Sequence, residues 1–94
     1  MAIGLLTLHV QFPGCNSLKA KRSRLKPFMV RLHREFNVSV AEMDHQDAWQ
    51  DATVGCAWVS NDAVHARQAL EQVSQWVEQH WPDAVLVEER LEII

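Results

Sequence analysis

The sequence predicts an α+β domain in which two helices cover one face of a four-stranded antiparallel sheet. Three observations carry this expectation. Apolar and polar residues alternate near residues 2–12 and again near 50–60, the period of a strand with one buried face. Two longer stretches repeat apolar residues at helical spacing, each opened by a helix-start signal, Ser17 in one and Ser60-Asn61-Asp62 in the other. The elements follow the order β-α-β-β-α-β, the split βαβ or ferredoxin-like arrangement. A chain of 94 residues makes a single domain over 1–94, large enough to fold on one core.

Each element has its own justification. In residues 2–12, Leu6, Leu8, Val10 and Phe12 alternate with Thr7, His9 and Gln11. Pro13-Gly14 breaks this strand, and Ser17 opens a helix over about 18–35 with Leu18, Leu25, Met29, Leu32 and Phe36 as its stripe and Phe28 beside them. Pro27 lies within that helix and is expected to bend it or delay its regular part. Residues 36–44 form a β-branched strand with Val38 and Val40 on one face. The polar turn Asp44-His45-Gln46-Asp47 makes a hairpin with a strand near 50–60, which puts Val54, Cys56 and Trp58 inward and Thr53, Gly55 and Ala57 outward. The second helix runs to about Gln79 on Ala63, Ala66, Leu70, Val73 and Val77, and Trp81-Pro82-Asp83 stops it. Residues 84–94 close the chain as a strand with Val85, Val87, Leu91 and Ile93 on one parity; Glu89 interrupts that face, which suits an edge.

Charge is segregated along the chain. Seven of the nine Lys and Arg residues fall between Pro13 and Phe36: Lys19, Lys21, Arg22, Arg24, Lys26, Arg31 and Arg34. No acid precedes Glu35, and the net charge is −3. The first turns of the basic helix oppose the helix dipole, which favours acids at a helix start. Either acids elsewhere in the fold compensate, or an external anion is held there, as phosphates are at helix starts. The net negative charge excludes indiscriminate binding to nucleic acid and leaves room for a localised basic face.

Other classes of function find little support. The longest apolar runs are far shorter than a membrane span. The segment MAIGLLTLHVQF lacks the basic start and small-residue cleavage site of a signal peptide. Cys15 and Cys56 match no metal or redox spacing, so reduced thiols in a cytoplasmic protein are expected. The Asp44–Asp47 turn reads as a polar turn rather than a metal site, and no cofactor is expected. The outward face offers Thr, His, Gln and Ala without an aromatic doublet, which counts against base stacking there. Oligomerisation through that open face or through an edge strand is its expected use. Trp49, near the hairpin tip, is either tucked under or waiting for a partner. The loop Pro13–Ser17 holds no Arg and a single Gly, unlike the phosphate loop of small acyl-phosphate hydrolases.

Four motifs together resemble a known family. They are Asn16-Ser17-Leu18-Lys19-x-Lys21-Arg22, Phe36-Asn37-Val38-Ser39-Val40-Ala41-Glu42, His45-Gln46-Asp47-x-Trp49-Gln50 and Val59-Ser60-Asn61-Asp62. The chain is similar in these to the YlxP-like bacterial proteins, a family of unknown function. The resemblance implies a ferredoxin-like fold and a cytoplasmic bacterial protein, and it supplies no catalytic residues. The family's gene neighbours in some bacteria serve translation initiation and ribosome maturation, which implies ribosomal RNA or a ribosome-associated factor as partner. The expected function is non-enzymatic RNA binding, with Ser17, Lys19, Lys21, Arg22 and Lys26 at the phosphates and Trp49 as a partner-binding residue. The alternative is an oligomeric interaction module whose basic helix docks on an acidic protein surface, and a small phosphohydrolase ranks last.

Overall fold

The computed structural model describes residues 1–81 and 83–94. Its elements are β1 (Ala2–Gln11), α1 (Leu18–Phe36), β2 (Ser39–Asp44), β3 (Asp51–Ser60), α2 (Ala63–His80) and β4 (Val85–Ile93). The strands form one antiparallel sheet in the order β2-β3-β1-β4, the ferredoxin-like topology. The closing strand is an edge, as Glu89 suggested.

The alternation read from the sequence sets which face is covered. Leu6, Leu8, Val10, Val54 and Cys56 are buried beneath the helices, and Phe12 continues the row. Leu25, Phe28 and Leu32 of α1 and Ala66, Leu70, Val73 and Val77 of α2 close over them. Burying one Leu or Phe side chain contributes about 1.5–3 kcal/mol, so this double stripe dominates stability. Gly4 permits close approach of α2, because a Cβ there would lie 2.5 Å from Leu70 Cδ1. Ala63 is exposed, so the buried stripe of α2 begins one turn later than expected.

Three features differ from expectation, each for a local reason. α1 continues through Phe36 and ends at Asn37, whose φ of 51° lets its N–H reach the His33 carbonyl at 3.0 Å; β2 therefore starts later. Pro27 neither delays nor interrupts α1, which begins at Leu18 directly after its Ser17 cap. The exposed position of Pro27 lets water satisfy the carbonyl its ring leaves free. In β4 a bulge leaves Val87 without a cross-strand partner, with Glu88 opposite His9 and Leu86 opposite Val10. That extra residue inverts the parity, so Leu86 and Leu91 pack on the core while Val85 and Val87 are exposed. Pro82, expected to stop α2, lies outside the described residues.

Candidate nucleic-acid interface

Helix α1 starts on a cap and without a counter-charge. The Ser17 hydroxyl accepts from the Ala20 amide at 3.0 Å, and the first turn contains no acid. Ser17 is thus the N-cap of the helix. Lys19, Arg22 and Lys26 are all exposed. Their spacing of three and four residues puts them on one flank of the helix. His33 follows Lys26 by two further turns on the same flank, and both border a shallow groove of about 320 Å³ with Met29, Val30 and Val40. Arg24 and Arg31 belong to the other side. Arg24 Nη1 donates to the Pro13 carbonyl at 3.4 Å, and the Arg31 guanidinium lies 5.1 Å from the Trp76 ring centroid and 5.7 Å from that of Trp81.

Lys21 does not belong to this surface, which corrects the expectation that it contacts phosphate. It is wholly buried, at 0 % exposure. Its Nζ donates to Glu42 Oε2 at 3.1 Å and to the carbonyls of His45 at 2.8 Å and Asp51 at 3.0 Å. The position was visible in the spacing, since Lys21 falls three residues after Leu18 and four before Leu25, inside the apolar stripe. A lysine there must find acceptors within the fold, because an unpaired buried ammonium costs far more than one such bond returns. The β2–β3 turn supplies them. Among the described residues, Lys21 is the one cation of α1 paired with a carboxylate of its own chain.

The opposite face of the sheet carries a second cluster, which the sequence scatters over β1, the turn and β3. His9 Nε2 donates to Asp51 Oδ1 at 2.8 Å, and Gln11 Nε2 donates to the same oxygen at 3.1 Å. The His9 bond, then that of Gln11, holds the Asp51 carboxyl below the usual aspartate range. A carboxylate only accepts, so His9 carries its proton on Nε2. The His45 ring stacks on His9 with centroids 5.0 Å apart and planes 10° from parallel. His45 has a φ of 63°, in the left-handed region, and that conformation turns its ring back over the sheet. Period-two reasoning placed His9 outward but had no means of bringing His45 beside it.

Trp49 is 55 % exposed, outside both clusters. Met43 and Val59, with Leu5 and Ala57, give the remainder of the open face an apolar character. Among the described residues no group of three His, Cys, Asp or Glu side chains is placed to hold a metal ion, and no helix is long and apolar enough to cross a membrane.

A family model described as a protein of unknown function (DUF503) matches residues 3–90. The chain is also 39 % identical over 62 residues to the uncharacterized protein YlxP of Bacillus subtilis (strain 168), a match covering 66 % of this chain and 67 % of that one.

Proposed function

The chain belongs to the DUF503 family, whose function is unknown, and from that premise we propose that it is a non-enzymatic RNA-binding protein that contacts phosphates through one flank of α1. One observation carries this reading: Lys19, Arg22 and Lys26 share a flank, stay exposed in the folded chain, and have no carboxylate partner among the described residues. Three cations concentrated on a body of net charge −3 form a local positive field. A nucleic-acid phosphate backbone rewards such a field by releasing counterions. Contacts of this kind hold the backbone and do not read sequence. Ribosomal RNA is the partner to test first.

The experiment is a titration of single-stranded and ribosomal RNA across a range of salt. Each single-strand phosphate contact contributes about 0.7 to the slope of log affinity against log salt, so three contribute about 2. Replacing Lys19, Arg22 and Lys26 together by Glu is expected to remove that slope and to weaken all RNA sequences alike. A triple variant that binds as tightly as the parent at low salt refutes the proposal.

A second reading is favoured by the groove between α2 and β4, whose lining sets Glu71, Glu78 and Glu89 against one cation, Arg67. It matches the α1 flank in charge, and a second copy of the chain fits it as partner. Sedimentation at low and high salt after nuclease treatment separates the two. Salt-sensitive self-association without nucleic acid supports the second, and a monomer at all salts opposes it.

A further inference from the structure

The His9–His45 pair is held more firmly than a surface turn requires. The His45 amide donates to Asp44 Oδ1 at 2.8 Å, and its ring Nδ1 meets Thr53 Oγ1 at 2.7 Å. Its carbonyl and that of Asp51 both accept from Lys21 Nζ. A buried lysine from α1 thus fixes the backbone of the two residues whose side chains build the front of the open face. A residue outside the commonest backbone region, held by this many bonds, is over-determined by its surroundings, and such residues gather at binding sites. The two rings border a pocket of about 260 Å³ whose lining also includes Thr7, Thr53, Glu88 and Arg90.

The chemistry of that pocket selects its ligand. A metal ion lacks a converging set of three ligands among the described residues. A bare anion would meet Glu88 and the ionised Asp51. A purely apolar ligand would cover the Thr7 hydroxyl and the Glu88 carboxylate without pairing them. A flat π-face bordered by both donors and acceptors suits an unpaired nucleobase, whose face stacks and whose edge makes hydrogen bonds.

We propose that the open sheet face holds one unpaired RNA base, stacked on the His45–His9 pair with its edge toward Glu88 and Arg90. This rests on the RNA reading and extends it. The phosphates run along α1, and the strand passes to the other face around the β2–β3 turn that Lys21 joins to that helix.

The test uses the full chain and two short RNAs of equal length and phosphate number, one with bases throughout and one fully abasic, each titrated across salt by fluorescence anisotropy. Stacking adds affinity that does not depend on counterions. The abasic strand is therefore expected to bind about tenfold more weakly with the same salt slope. The His9→Ala, His45→Gly variant, which keeps a residue tolerant of positive φ at position 45, is expected to lose that difference and keep the slope. Equal affinity of the unaltered protein for both strands overturns the proposal and leaves the phosphate reading intact. Failure of either strand to show salt-dependent binding overturns both. The strand comparison needs no protein variant, so a misfolded variant does not decide the outcome.

Discussion

Lys21 Nζ stands 3.1 Å from Glu42 Oε2, the ammonium side chain 1 % exposed and the carboxylate side chain 20 %. This contact and the carbonyl bonds beside it join α1 to the β2–β3 turn. Removing the ammonium leaves Glu42 and two backbone carbonyls without their donor. Lys21→Met is therefore expected to cost about 3 kcal/mol, at the lower end for a broken buried pair because Glu42 retains some water. Lys21→Met combined with Glu42→Leu is expected to recover part of the loss. Urea denaturation midpoints of the two variants check both statements.

Lys19 lies in the first turn of α1, against the helix dipole. Lys19→Glu is expected to raise stability by about 0.3–1 kcal/mol while it lowers RNA affinity. Thermal unfolding and an RNA titration on the same sample measure two changes of opposite benefit. A first turn tuned only for folding would not show that opposition.

The His9–Asp51 bond gives a pH dependence of definite sign. The carboxyl of Asp51 is held below its ordinary range when folded. Its contribution is therefore complete above the ordinary aspartate value and is lost as pH falls through the lowered one. Asp51→Asn is expected to melt at a lower temperature than the parent at pH 7. The two curves are expected to converge only once the pH has fallen past the ordinary aspartate value and through the lowered one, below which both side chains are neutral.

Burial pushes the Cys56 thiol up to about 12, and Cys15 is buried as well. Thiolate is the reactive form, and iodoacetamide must reach it. At pH 8 the native protein is expected to resist labelling at both thiols, with both modified once urea unfolds the chain. Mass spectrometry after timed quenching counts the adducts.

The fold was legible because its signals are local. The alternation of Leu6, Leu8 and Val10, the stripe of Leu25, Phe28 and Leu32, and the caps at Ser17 and Asp62 each act within a few residues of themselves. Single-residue departures from regularity were not legible. The bulge at Val87 moves every earlier residue of β4 to the other face, and no composition rule marks it. The left-handed His45 brings together rings that are 36 positions apart in the chain. Lys21 is the intermediate case. Its place in an apolar stripe announced burial, but counting it among seven cations hid that message, because charge totals ignore which way a side chain faces.

The bulged outer strand has a further consequence. Glu88, Glu89, Arg90 and Glu92 are exposed along β4, beside a kink that spoils the regular spacing of its free amides and carbonyls. An extended segment from a neighbouring molecule would have to approach a strongly charged strand and a broken ladder at once. That margin disfavours runaway strand addition along β4 in a chain this rich in apolar residues.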